Sequence, residues 1–400
     1  HMLVDTAFSW QDEDYTETQT LCTKLCEDEI VYGGESILAQ TILEAKSLNV
    51  PAVFALSSCG PEIVGDDIVT VCEEMQPKVN FKLIPIECAG FRGSQYDGVD
   101  IALNALLKRL AVNDRKKIAN SVCLIAPHAN ANPTWMGDLA WVKNVLSKMG
   151  VQIVATFTHR TALSEFESVS SAEASILLSH DAGQKAADHL AAEFGVEQLC
   201  RDVPLPIGFT NTQRWLAELG EVFDARSIVE KFVAEGEKMV VERCRRKWLE
   251  LYPFHLESVA IIADATVGIP LVRFVTEELE MIPEIVHLRS SLKTARDILE
   301  TELRELNLSP RVVYHTDVYQ TKRSLAEMKP EAVFGSEIER YAIEDLDIPL
   351  AFELVTPITS FRIFDREYFG YTGMLNLLEI IQDGYSDQYR SKLRRYKARW

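Results

Sequence analysis

Short apolar runs alternate with longer amphipathic stretches along most of the chain. Val53–Leu56, Phe81–Ile86, Ser121–Ala126, Val151–Phe157, Ala174–Leu178, Ser258–Ala263, Ile285–Leu288, Arg311–His315 and Ala332–Gly335 are runs of strand length without polar alternation. Such runs fit strands covered on both faces, as in parallel sheets. Between them, apolar positions recur at helical spacing, as in residues 35–48, where Ile37, Leu38, Ile42, Ala45 and Leu48 share a face. Helices are likewise predicted over 62–74, 99–110, 139–149, 182–194, 212–223, 226–250, 293–306 and 318–329. The β-α-β-α order predicts an α/β fold of doubly wound parallel sheets. Three such units follow one another, at 1–118, 119–250 with a long helix at its end, and 251–400 with C-terminal helices.

Composition narrows the class. The chain has 400 residues, 47% hydrophobic and 25% charged, as expected of a globular protein of two or three domains. Its formal charge is −19, from 41 basic and 60 acidic residues, which argues against nucleic acid as a partner. No apolar run is long enough to cross a bilayer, so no membrane association is expected. His1-Met2 has the look of a cloning remnant, and no secretion signal is visible. With eight dispersed cysteines, this points to a reducing cytoplasm. Residues 1–28 are polar and acidic, a loop or a loosely packed helix, and the basic residues 243–247 suit a solvated helix face.

The chemistry gathers around Pro51–Asp67. The strand Val53–Leu56 ends in Ser57-Ser58-Cys59-Gly60-Pro61, and a helix is expected to follow, with Asp66 and Asp67 near its first turn. Cys59 is thereby placed at the carboxyl end of a strand, the edge where open α/β sheets bind ligands. A thiolate there suits a metal or cluster. Cys22 and Cys26 are four apart, a spacing that puts both thiols on one helix face. They fit either a metal site or simply the buried side of a short helix. For Cys72, Cys123, Cys200 and Cys244 the expectation is that of small buried hydrophobes.

Three blocks in order carry a resemblance. They are Ile30-Val31-Tyr32-Gly33-Gly34, then Cys59 followed by Ile63-Val64-Gly65-Asp66-Asp67, then Cys88-Ala89-Gly90-Phe91-Arg92-Gly93. Together they resemble the first domain of nitrogenase component 1 proteins. Further on, Pro206-Ile207-Gly208 is similar to a turn of the β-type subunits. Pro349-Leu350, then Ile363-Phe364-Asp365-Arg366 and Gly370-Tyr371-Thr372-Gly373, are similar to their ending.

The resemblance implies three Rossmann-like domains around a central cleft. It also implies a homodimer, or a heterotetramer with a related component 1 subunit, and an iron–sulfur cluster, of the 4Fe-4S kind, at the subunit interface. Cys59 matches a cluster-ligand position, and Cys88 belongs to the third block without a defined ligand role. Arg92 and Gln95 match positions that line the active-site cavity of nitrogenase, where an arginine can hydrogen-bond an anionic group. Electrons would come from a separate ATP-dependent iron–sulfur reductase; this chain has no GxxxxGK[ST] loop of its own.

Departures from the family pattern redirect the expectation. Only 32 residues precede Gly33, where other members carry a longer stretch with further cluster cysteines. The chain is then either truncated, or uses Cys22 and Cys26 differently, or holds no interface cluster. After Gln95 comes Tyr96-Asp97 where nitrogenase has paired histidines. The stretch in which the molybdenum-cofactor cysteine should fall contains Leu178-Ser179-His180-Asp181, leaving His180 as a substitute ligand or a structural residue. No dinitrogen reduction is expected. The functions left are an oxidoreductase subunit acting on a small molecule, a metallocluster assembly scaffold or carrier without turnover, and a cluster-free partner subunit.

Overall fold

The computed structural model describes residues 20–113, 116–127, 134–157, 161–245, 258–290, 292–346, 348–355 and 364–393. The acidic stretch 1–19, Asp114-Arg115 of a basic link, Arg246-Lys247 of the basic helix face and Ile363 of the ending lie outside the described residues. The chain divides into two compact units, one of residues 1–115 with 162–170 and one of 116–161 with 171–400.

The first unit opens with α1 (Glu27–Tyr32) and α2 (Glu35–Glu44), followed by β1 (Ala52–Leu56). Two helices, α3 (Cys59–Val64) and α4 (Ile68–Met75), lead to β2 (Lys82–Ile86) and the long α5 (Gln95–Leu110). Strands β1 and β2 pair in parallel, Phe54 opposite Ile84. Two strands alone are marginal, so the sheet depends on its cover. Ile42 of α2, Val71, Cys72 and Met75 of α4, and Ala55, Phe81 and Leu83 form one buried cluster on the sheet.

Two expectations are corrected here. The single helix predicted over 62–74 is two helices, because Gly65 takes a left-handed conformation (φ 96°) and ends the first. Asp67 then caps the second, its carboxylate accepting the Thr70 N–H at 2.9 Å. Cys22 and Cys26 do not share a helix face. Residues 20–26 have no regular structure, and Cys26 is the cap residue ahead of α1, where its N–H donates to the Glu29 carboxylate at 2.7 Å. Three acids in the first turn, Glu27, Asp28 and Glu29, favour a helix start at this point rather than further upstream.

The second unit holds two parallel sheets. The first contains β3 (Ser121–Ile125), β4 (Gln152–Phe157), β5 (Ala174–Leu177) and β6 (Glu197–Leu199), in the order β4-β3-β5-β6. Every residue of β3 is buried, which is why the run is apolar after Ser121, whose hydroxyl donates to Ile118 O at 2.6 Å. Around it lie α6 (Trp135–Lys148), α7 (Gln184–Phe194), α8 (Phe209–Val222) and α9 (Arg226–Cys244). The second sheet, in the order β11-β10-β7-β8-β9, has β7 (Ser258–Ala263), β8 (Ile282–Leu288), β9 (Arg311–Tyr314), β10 (Ala332–Gly335) and β11 (Leu350–Glu353). Its helices include α10 (Ala265–Arg273), which runs into a π-turn Phe274–Glu278, then α11 (Lys293–Glu305) and α12 (Val318–Met328). The final helix, α13, covers Gly370–Leu393.

The helix expected over 226–250 ends at Cys244, and Arg243 and Arg245 are exposed as a solvated face. Cys72, Cys123 and Cys200 are buried and Cys244 is half-buried. Arg273, almost wholly buried, meets Glu277, Glu302 and Glu305 at 2.8, 2.6 and 2.5 Å, and Arg214 of α8 reaches Glu302 at 2.5 Å.

The two motifs that close the family resemblance meet inside this unit. Gly370 donates its N–H to Pro206 O at 2.7 Å, and Ile207 bridges Phe369 in antiparallel fashion. Buried Asp138 of α6 accepts the N–H groups of Tyr368 and Phe369 at 2.6 and 2.9 Å.

Candidate thiol site and family assignment

The three blocks of the first unit converge on α3. Asp66 links the second block to the first, accepting the Gly34 N–H. Glu62 links the second to the third. Its carboxylate accepts the Ser57 hydroxyl, the Ala89 N–H at 3.3 Å and Arg92 Nε at 2.5 Å. Ser57 in turn accepts the Cys88 N–H at 2.9 Å. Burial alone would raise the Glu62 carboxyl, but the donors from Ser57, Arg92 and Ala89 outweigh it and hold the group below its ordinary range.

Cys59 stands outside this web. It is the first residue of α3, directly after the carboxyl end of β1, and it is exposed. A Cβ built on Gly90 would lie 3.5 Å from Cys59 Sγ, which places the third block beside the thiol. Ile63 lies one turn along α3 on the same face as Cys59. Leu56, Ile63 and Phe91, near Cys59 in the second and third blocks, are 65%, 75% and 59% exposed. Helix α1 packs against α3 and adds Val31 and Tyr32, also exposed.

The other predicted residues are placed differently. Cys88 is half-buried with its thiol turned toward Ser57 O at 3.7 Å. Burial, and next the Glu62 carboxylate, push that thiol up. Arg92 is held by Glu62 and by Glu87 at 3.2 Å. Gln95 begins α5 and is exposed. Cys22 and Cys26 are exposed and tied to their own loop, Lys24 N–H to Cys22 Sγ at 3.4 Å and Cys26 Sγ to Lys24 O at 3.5 Å. Among the described residues, no three His, Cys, Asp or Glu side chains are placed to hold a metal ion together. A four-iron cluster takes four cysteine ligands.

Sequence reasoning missed Glu62 and Ser57, which organise the blocks. Their signal was present only as polar residues flanking Cys59, without a spacing that pairs them to Arg92.

In the second unit His180 lies next to the end of β5. It is buried, its Nε2 accepts the Leu205 N–H at 3.2 Å, and burial lowers its pKa to about 4. Next to it, Asp181 accepts the N–H groups of Ala265 and Thr266, both at 2.8 Å, and the hydroxyls of Thr266 and Ser290. It thus joins the carboxyl edges of the two sheets.

Parallel sheets under helical layers, with an exposed thiol at the carboxyl end of the first strand, define a Rossmann-like α/β protein. The chain belongs to the nitrogenase component 1 type oxidoreductase family, whose model matches residues 2–384. It is 30% identical over 214 residues to the nitrogenase molybdenum-iron protein alpha chain of Methanosarcina barkeri, a match covering 53% of this chain and 39% of that one. It is 23% identical over 368 residues to the nitrogenase iron-molybdenum cofactor biosynthesis protein NifE of Clostridium pasteurianum, covering 90% and 75%. Identity to the nitrogenase molybdenum-iron protein beta chain of Methanococcus maripaludis is 25% over 401 residues, covering 92% and 84%. The chain thus spans between about two fifths and five sixths of these relatives' lengths. The fold agrees with a solved structure of nitrogenase Cp1 at pH 6.5, with a TM-score of 0.75 over 94% of this chain and 84% of that one at 17% identity. No helix among the described residues is long and apolar enough to cross a membrane.

Proposed function

We propose that this chain is one subunit of a nitrogenase-like oxidoreductase in which Cys59 contributes one ligand to an iron–sulfur cluster shared with a second component 1 type subunit. The observation that carries this is the exposed Cys59 thiol, with Leu56, Ile63 and Phe91 of the second and third blocks also exposed. A thiol so placed lacks co-ligands of its own and sits where a second chain would bury it. When bound, the cluster supplies one-electron transfer, taking electrons from an ATP-dependent iron–sulfur reductase toward a small-molecule substrate. The protein's part is to hold α3 rigidly through Glu62, Ser57 and Asp66, and to exclude water from the thiol once the partner docks.

A second reading, a cluster carrier or assembly scaffold without turnover, is supported by His180, which is engaged by Leu205 rather than free to hold a catalytic metallocluster. It accords with the similarity to a cofactor biosynthesis protein.

The test is iron and sulfide content and the visible spectrum after anaerobic purification and reconstitution, for the unaltered protein and Cys59→Ala. A brown protein with about four irons per cluster, lost in Cys59→Ala, supports the site. Iron binding unchanged in the variant, or no iron in either, removes it. Turnover with dithionite then separates the oxidoreductase from the carrier.

A further inference from the structure

The second unit contains a cavity of about 420 Å³, within the range of small-molecule sites. Its walls come from α6, α9 and residues 365–372 just ahead of and within α13. Close backbone approaches fix its shape. A Cβ on Gly137 would fall 2.6 Å from Glu367 N, and one on Gly236 would fall 2.1 Å from the Tyr371 ring. Both positions are therefore closed to larger residues, and the walls are set by rigid contacts.

Three aromatic rings line the space. Trp141 and Phe232 stand edge-on with centroids 6.3 Å apart, and Phe232 and Tyr371 are tilted with centroids 6.2 Å apart. Around them are three carboxylates, Glu235, Asp365 and Glu367, and one basic residue, Lys148; Glu235 also pairs with Lys231 at 3.9 Å. Neither Asp365 nor Glu367 has an ion-pair partner among the described residues. Lys148 Nζ sits over the Phe232 ring, 5.1 Å from its centroid. The protein's own ammonium thus occupies the position that a ring face offers to a cation.

We propose that this cavity binds a small organic cation, a protonated or quaternary amine with an apolar body. Its charged head takes the place of Lys148 on Phe232, and its body lies against Trp141 and Tyr371. The aromatic faces attract the cation through their quadrupoles, and the surplus of carboxylates gives the rim the matching sign. Lys148, on an exposed flexible stem at the end of α6, swings out to solvent as the ligand enters. The site is separate from Cys59, and the proposal is independent of any cluster.

The test is calorimetric titration of the full chain with choline and with its neutral isostere 3,3-dimethylbutan-1-ol. Choline is expected to bind saturably in the millimolar range or tighter, roughly ten-fold better than the isostere. Phe232→Leu, which keeps an apolar side chain of similar bulk and spares the packed Trp141, weakens choline several-fold while leaving the melting curve in place. Lys148→Met removes the competing ammonium and tightens choline. Equal affinity for the isostere, no saturable choline binding, weaker binding in Lys148→Met, or a preference for acetate over choline overturns the proposal.

Discussion

Both carboxylate oxygens of Asp66 accept the same Gly34 N–H, each at 2.9 Å. Two sequence blocks separated by a helix and a strand are tied at this point. Alongside it, the Asp67 N–H donates to the Glu35 carboxylate at 2.9 Å, so the tie is doubled in the reverse direction. Removing the acceptor leaves a half-buried N–H at the start of α2 without its partner. Asp66→Ala is expected to destabilise the first unit by about 1–3 kcal/mol. Gly34→Ala should cost less, because its Cβ would fall 2.8 Å from the movable end of the Leu25 side chain and 3.0 Å from the Asp66 carboxylate. Urea denaturation, with a probe confined to the first unit, measures both.

Glu62 is the second joint. Its folded pKa lies below the unfolded value of 4.5, so its stabilisation is fully present above that pH and fades as the pH falls further. Glu62→Gln removes the charged partner of Arg92 and should cost about 2 kcal/mol at neutral pH, with less difference in acid. It also takes away the carboxylate that raises the Cys88 thiol. Mass-spectrometric mapping of iodoacetamide labelling at pH 8 should show faster Cys88 modification in the variant, with Cys59 little changed. Unchanged Cys88 kinetics would contradict the electrostatic link.

Two buried imidazoles are expected to lower the stability of the second unit in acid. Burial lowers His180 and His287 from 6.5 to about 4, with the Arg311 charge adding to the effect at His287. The unfolded chain takes up protons as pH drops through 6.5 while the folded one does not, so stability declines between 6.5 and about 4. Protonating either ring in place costs on the order of 3 kcal/mol. His287→Asn should flatten part of this decline, seen as a smaller drop in Tm between pH 6.5 and 4.5. A parallel decline in the variant would show that other groups govern it.

Glu278 acts in the opposite sense. It lies in the π-turn after α10, and its carboxyl accepts the N–H groups of Phe209 and, at 3.3 Å, Thr210 at the start of α8. Its other oxygen, Oε2, is buried without a partner. Burial raises its pKa to about 8, with Glu277 adding to the shift and the two backbone donors opposing it. The folded state therefore keeps a proton that the unfolded state releases above 4.5, and stability falls as pH rises from there to about 8. Glu278→Gln preserves the acceptor without the charge. Its Tm should match the parent near pH 4.5 and exceed it at pH 8, by an amount corresponding to on the order of a few kcal/mol.

The sheets were legible in the sequence because buried parallel strands leave an uninterrupted apolar run, as residues 122–125 do with every residue buried. The short strands β6 and β11 were not, since three or four residues such as Glu197–Leu199 carry no period. The break at Gly65 was hidden because Ile63, Val64, Ile68 and Val69 continue a helical pattern across it. At the site, the position of Cys59 after a strand was readable from its flanking turn. The thiols of Cys22 and Cys26 were misplaced because spacing carries no information about whether a helix has begun. What the sequence hid most completely was Glu62, whose partners Ser57, Ala89 and Arg92 become neighbours only once β1 and β2 pair.

The clasp between Pro206 and Gly370 bears on how the protein is made. The first unit is made of residues 1–115 and 162–170, so all of it can leave the ribosome before the second unit is complete. The second unit depends on residues 368–370, which hold both Asp138 and Pro206. Until that stretch leaves the exit tunnel, Asp138 and the Pro206 carbonyl lack the N–H groups that they accept in the finished fold. A stalled or prematurely terminated product would therefore pair a finished first unit with an open second one, a species suited to capture by chaperones.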